Sequence, residues 1–420
     1  MRLFTRAAAA TVAALAAAGT GAYALDTLPG IFDTSFRSLK VQRADNFFAA
    51  PVLSLGEQGT LTVTFDRLVE DRDFLRYRLV HCNSDWQPSQ LMESEYLDTF
   101  NDISIDDYAF SQNTFVHYVN YRIEFPTEDA HPLVSGNYLL QVYDEDDPDA
   151  VLLQTRFSIE EPAVEITAMA DAHTDRGING EYQQVSMTID TQRQRVRDPY
   201  NDVITVLEQN WSPSMPVTLT HPQRVESGRL VYEHLQPLIF RAGNEYRRFE
   251  TVRADYPGMS VDSVKYMGRN YHAWLRTDVP ARDHSYTYDR TQNGRYMVRE
   301  YNATDSDLGA DYVTVHFTLQ MPELTNAAVY LDGEVWQGRF TDANRLRYDR
   351  DRQAYTAEVP LKQGSYNYRY VIVGTGGADP YFVDGDKYET HNEYTVKTFI
   401  REVGSRYDRL VGTKTVYAFE

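Results

Sequence analysis

Cys82 is the only thiol in the chain and the first residue to weigh as a nucleophile. It ends an apolar strand pattern with Tyr77 and Leu79, a setting in which a free thiol is usually buried and inert. Paired carboxylates come next. Asp106 with Asp107 and Asp305 with Asp307 carry the groups of a glycosidase, but that chemistry requires a defined separation in space that adjacency along the chain does not supply. Asp144, Asp146 and Asp149, or Asp305, Asp307 and Asp311, offer clustered oxygens of the kind calcium prefers, and neither set follows the EF-hand spacing. The ten histidines are scattered singly. There is no G-x-S-x-G elbow, H-E-x-x-H, Walker loop, C-x-x-C pair or dinucleotide glycine fingerprint. No catalytic residue, cofactor or metal ligand is assigned, and the chain is not read as an enzyme.

Binding then rests on aromatic side chains, and two sets stand out. Trp336, Tyr348, Tyr355 and Tyr381 have flat faces suited to stacking on sugars, which makes a carbohydrate-binding or scaffold protein of the cell envelope the alternative reading. Trp86, Met92, Tyr96 and Phe100 form a dense apolar set within the polar segment RLVHCNSDWQPSQLMESEYLDTF, Arg78 to Phe100. These four are the candidate partner contacts, with a mini-core closing one end of a sandwich as the competing role. Asn83, Ser84 and Asp85 are turn formers, Pro88 blocks a central strand, and Ser89 is placed to cap a short helix carrying Leu91, Met92 and Tyr96.

The elements that must hold these residues are strands. The chain has 31 tyrosines and many short alternating runs broken by Gly, Pro, Asn and Asp, with no long amphipathic helix pattern. The fold class is all-β, with tandem immunoglobulin-like or early-set β-sandwiches. Arg2 and Arg6, the Ala-rich run after them and the Ala22-Tyr23-Ala24 cleavage site mark residues 1–24 as a signal peptide. Leu25 follows the cleavage site, so no lipoprotein cysteine is present there, and no later apolar run approaches the ~20 residues that span a bilayer.

Three modules follow the signal. The first covers 25–160, with strands at Thr60 to Phe65, Phe74 to Cys82, Val116 to Phe125, Asn137 to Tyr143 and Leu152 to Ile159. The second covers 163–303, beyond the linker Glu161-Pro162, and contains FRAGNEYRRFE, Phe240 to Glu250, and DRTQNGRYMVRE, Asp289 to Glu300, where Asn293-Gly294 is a hairpin signal. The third covers 304–420, opening near ADYVTVHFTL, Ala310 to Leu319. A single cysteine cannot form an internal disulfide, so hydrophobic cores must hold these modules. The formal charge of −20 becomes two units more negative when Arg2 and Arg6 are removed, and such a surface repels nucleic acid and anionic headgroups.

The segment Arg78 to Phe100, the run YVNYRIEFPTEDAHPLVSGNYLLQVY from Tyr118 to Tyr143, and the three later strings just quoted resemble the plug protein family of the type IX secretion system. The third module, in AAVYLDGEVW, AYTAEVPLKQGSYNYRYVIVG and DPYFVDG, looks like an early-set immunoglobulin domain of the kind attached to glycogen-active enzymes, with a turn at Gln363-Gly364 before Tyr366, Tyr368 and Tyr370. The plug resemblance fades between about Thr188 and Arg229 and from Arg339 to Asp351. It implies a periplasmic protein, peripherally associated with the outer membrane, that binds and seals the periplasmic opening of the translocon barrel. It implies no membrane insertion and no obligate small-molecule ligand.

Overall fold

The strand Leu75–Cys82 alternates buried Leu75, Tyr77, Leu79 and His81 with half-exposed Arg76, Arg78 and Val80, the period-two pattern of a sheet with one face on a core. It pairs antiparallel with Gly136–Asp144, which pairs with Asp147–Glu160. A second sheet of Phe36–Arg43, Leu61–Arg67, Val119–Phe125 and Tyr108–Phe110 packs against it. Between the two lie Phe36, Phe65, Tyr121, Tyr138 and Phe157, with Phe65 stacked on Tyr121 at 5.4 Å and Tyr138 on Phe157 at 5.5 Å. Such aromatic pairs fill a sandwich core while each tyrosine hydroxyl reaches a polar partner at its edge.

This computed structural model describes residues 26–419 except 58, 128, 129, 195 and 214. The expected signal peptide, 1–24, lies outside the described residues. The described residues are nearly all β, with two four-residue helices, Glu93–Tyr96 and Ser306–Gly309. None of their helices is long and apolar enough to cross a membrane.

The middle sandwich corrects the expected boundaries. One of its sheets contains Glu165–Asp171, Tyr182–Asp190, Ile239–Arg241, Arg229–Tyr232 and Arg224–Glu226. The other runs Val217–Leu219, Val203–Gln209, Glu393–Ile400 and Arg409–Tyr417. The last two strands come from the chain's end, so residues 304–420 are not one contiguous module. The reason is physical: Val203–Gln209 and Val217–Leu219 alone would make a two-stranded ribbon too small to cover a core, and Tyr394, Val396 and Ile400 supply the missing side chains. Glu393–Ile400 is buried at every residue, because its opposite face meets the first module, where Phe399 packs with Val52 and Leu410.

The third module is thus an insertion between Ile239–Arg241 and Glu393–Ile400. Its strands include Tyr312–Leu319 paired with Ala354–Lys362, and Ala327–Asp332 paired with Gly364–Gly374. Arg247–Glu250 and Tyr296–Val298, which the sequence assigns to the middle module, both pair with Gly364–Gly374 of the third. Asn293 and Gly294 do form a turn, with φ of 51° and 88°, but no hairpin. Gln363-Gly364 likewise passes the chain from Ala354–Lys362 to Gly364–Gly374, two strands that do not pair with each other.

Buried charges join the first and third modules. Asp66 of Leu61–Arg67 accepts from Lys362 Nζ at 2.7 Å, from the Tyr312 hydroxyl at 2.6 Å and from Asn120 Nδ2 at 2.8 Å. Lys362 also donates to Asp307 O at 2.6 Å and lies over the Tyr118 ring at 4.1 Å. Asp311 takes the backbone N–H groups of Phe115 at 2.7 Å and Val116 at 3.0 Å. Breaking one partner of such a group strands a charge away from water, so these contacts fix how the modules meet more than they add net stability.

Candidate functional site

The four expected contact residues separate. Trp86 is 7% exposed and packs with Cys82 and Leu139 on the outer side of the Leu75–Cys82 sheet. Tyr96 is 5% exposed, joins the main core of the first module, and donates its hydroxyl to Leu79 O at 3.0 Å. Neither stands out on the surface of the loop, which corrects their assignment as surface contacts; what Trp86 still exposes faces a cleft. Met92 is 66% exposed and Phe100 91%. The alternative of one mini-core is corrected as well, because the two buried rings enter different clusters. Met92, not Ser89, precedes the helix Glu93–Tyr96, and Glu95 Oε2 accepts the Met92 N–H at 2.8 Å. Asn101, which the sequence reading passed over, accepts the Leu79 N–H and donates to Leu79 O, both at 2.7 Å. It stands in for a strand neighbour beside Leu79 and holds the loop on the sheet.

Two other loops are laced to this one. Leu133 N donates to Tyr96 O at 2.9 Å, Gln90 N donates to Arg406 O at 3.1 Å, and Arg406 forms an ion pair with Glu95. Leu133 and Val403 are exposed, so three interlocked loops form a rim on which Met92, Phe100, Leu133 and Val403 each expose an apolar side chain. Beneath it His81 is buried, its Nε2 at 3.1 Å from Ser135 O and its Nδ1 at 2.8 Å from Ser89 Oγ. Nε2 therefore donates and Nδ1 accepts. Burial pulls the imidazole down to about 4. Gly136, at φ +146°, leaves the room this ring needs, since a Cβ there would stand 2.4 Å from His81 Nε2.

A second feature lies where all three modules meet. A cleft of about 120 Å³ is lined by Trp86 and Arg156 of the first module, Trp211 and Lys397 of the middle one, and Arg295 and Glu334 of the third. The Arg295 guanidinium lies 3.8 Å from the Trp211 ring centre and pairs with Glu393 at 2.8 Å. Arg156 lies 4.3 Å from the Trp86 ring centre and Lys397 5.5 Å. Both tryptophans have left-handed backbones, with φ of 64° at Trp86 and 52° at Trp211. For bulky residues that conformation is strained and persists only where the surroundings impose it. Of the cleft's residues, the sequence points to Trp86 alone as a binding residue and to Asn293-Gly294 only as a turn, and gives no sign of Arg156, Arg295 or Lys397; the rarity of tryptophan is the only signal at 211.

Residues 36–161 match the family model described as type 9 secretion system plug protein 1st domain. A crystal structure of a hypothetical protein from Parabacteroides merdae is similar throughout, with a TM-score of 0.91 and 36% identity over 94% of this chain and 100% of that one. The chain carries the first domain of the type IX secretion system plug family. No curated protein matches it. That domain gives the plug-family protein a role in type IX secretion, in association with a component of that system.

The remaining expectations can be placed on this plug-family fold. Burial pushes the Cys82 thiol up to about 12, so the thiolate nucleophile is suppressed. The sugar platform disperses: Tyr355 is buried against Tyr348, Trp336 packs edge-on to Phe317, and Tyr381 lies under Arg241. Asp305 caps the helix Ser306–Gly309 while Asp311 holds Phe115 and Val116, so this trio does not converge. Among the described residues no group of three or more His, Cys, Asp or Glu is arranged to hold a metal.

Proposed function

We propose that this plug-family protein binds the periplasmic opening of the type IX translocon barrel and seals it without catalysis. The observation that carries the reading is the combination of buried charged joints between modules with an exposed apolar rim on interlocked loops. A seal must resist deformation across its width, and modules joined through Asp66, Lys362 and Asp311 lose little freedom on docking. Met92, Phe100, Leu133 and Val403 expose apolar area on loops already held by hydrogen bonds, so their burial against the barrel needs little ordering. Release follows when a cargo-loaded barrel binds the plug less well, a shift of population rather than a chemical step. The protein works in the periplasm, at the outer membrane through its partner.

Affinity purification of the tagged protein from gently solubilised envelopes tests this reading. The barrel should be recovered in stoichiometric amount, and less of it when cargo fills the barrel. Recovery of polysaccharide, or of no membrane protein, would turn the reading toward an envelope scaffold.

A further inference from the structure

The cleft at the three-module junction is unusual in its charge balance. Arg295 is matched by Glu393, Arg369 by Asp332, Lys40 by Glu334 and Lys397 by Glu208. Arg156 has no such ion-pair partner: among the described residues its guanidinium lies over the Trp86 ring and donates to Thr27 O at 2.7 Å, Thr27 Oγ1 at 3.1 Å and Pro213 O at 3.4 Å. A guanidinium has five N–H donors, so two are left to point elsewhere. The Trp211 indole N–H and Arg295 Nε are also buried without a hydrogen-bond partner among the described residues. Unsatisfied buried donors are rare in folded proteins and call for a specific explanation.

The apolar part of the wall is equally specific. Pro51 and Pro213 join the two strained tryptophans in its lining. In a chain of net charge −20, a surplus cation between aromatic walls is a local reversal of sign. We infer that this cleft binds a small organic carboxylate with an apolar or aromatic body, the carboxylate received by Arg156 and the Trp211 N–H and the body held between Trp86 and Trp211. Charge-assisted hydrogen bonds in a partly dry site are the strong ones, and a guanidinium lacking a carboxylate is the group that such a ligand completes. Because the walls come from all three modules, occupancy would also tie them together.

Isothermal titration of the mature chain with 3-phenylpropionate and with its uncharged amide, 3-phenylpropanamide, tests the assignment. The acid should bind wild type about tenfold or more tightly than the amide. Arg156→Gln should abolish that preference and Arg156→Lys should retain part of it, with melting temperatures monitored alongside. Trp211→Phe keeps the ring and removes the N–H. It should weaken the acid severalfold more than the amide, because only the carboxylate forms a charge-assisted bond to that N–H, which keeps the test decisive if Arg156→Gln fails to fold. Equal binding of acid and amide, no saturable heat from either, or an undiminished preference in Arg156→Gln would overturn the proposal.

Discussion

Two joints in this molecule both set cations against aromatic rings and come out differently. Around Asp66, between the first and third modules, the carboxylate is met by Lys362, Tyr312 and Asn120, and Lys362 has a further carbonyl and an aromatic face. Around Trp86 and Trp211, where the middle module joins them, Arg156 lacks a carboxylate, two buried donors are unpaired and both tryptophan backbones are strained. Saturated polar contacts fix one arrangement of the modules. Unsaturated ones leave donors that a carboxylate bound in the cleft would complete. Burying charge therefore serves two purposes here, and what separates them is whether every donor finds an acceptor.

The largest effect should come from breaking the saturated joint. Lys362→Met leaves Asp66 buried without its cation and should destabilise the protein by about 3–5 kcal/mol in urea unfolding. The double variant Lys362→Met with Asp66→Asn removes the stranded charge and should recover part of that loss. A Lys362→Met variant as stable as wild type would remove the distinction between the two joints.

The next effect is a pH dependence at His81, a buried base whose hydrogen bonds suit its neutral form. Its folded value of about 4 lies below the ordinary 6.5, so the unfolded chain takes up the proton first. The stability it contributes is fully present above pH 6.5 and is lost as pH falls toward 4, by up to about 3 kcal/mol. Urea midpoints at pH 7.5 and 4.5 should differ less in His81→Gln than in wild type.

Arg156→Gln sharpens the contrast from the other side. Removing a half-buried cation that lacks a carboxylate should change stability by about 1 kcal/mol or less, and a gain is as consistent with the arrangement as no change. A loss comparable to Lys362→Met would mean that Arg156 is paired in solution. The smallest effect on folding belongs to the rim: Phe100→Ser with Met92→Ser should shift stability by about 0.5 kcal/mol or less while reducing recovery of the barrel.

The strands of the first module were legible because one face of each meets the core, as in the alternation of Leu75–Cys82. The order of modules was not, because the middle sandwich is completed by Glu393–Ile400 after a whole inserted domain, and nothing local marks a strand that pairs across that distance. Asn293-Gly294 has the backbone of a hairpin turn, but tertiary pairing sent Tyr296–Val298 to another strand. The loop from Trp86 to Phe100 was recognised as an apolar cluster, yet composition alone could not divide its buried Trp86 and Tyr96 from its exposed Met92 and Phe100. The cleft was least legible. Trp86, Arg156, Trp211, Arg295 and Lys397 meet only because three modules converge, and the Asp66–Lys362 joint spans 296 residues of sequence.

The proposed sealing of the translocon barrel can be measured as ionic conductance of the purified barrel in a planar bilayer. Adding the protein from the periplasmic side should close the open barrel, and the Met92→Ser, Phe100→Ser variant should require a higher concentration to do so. A barrel that conducts equally with and without saturating protein would show that this chain is not its seal.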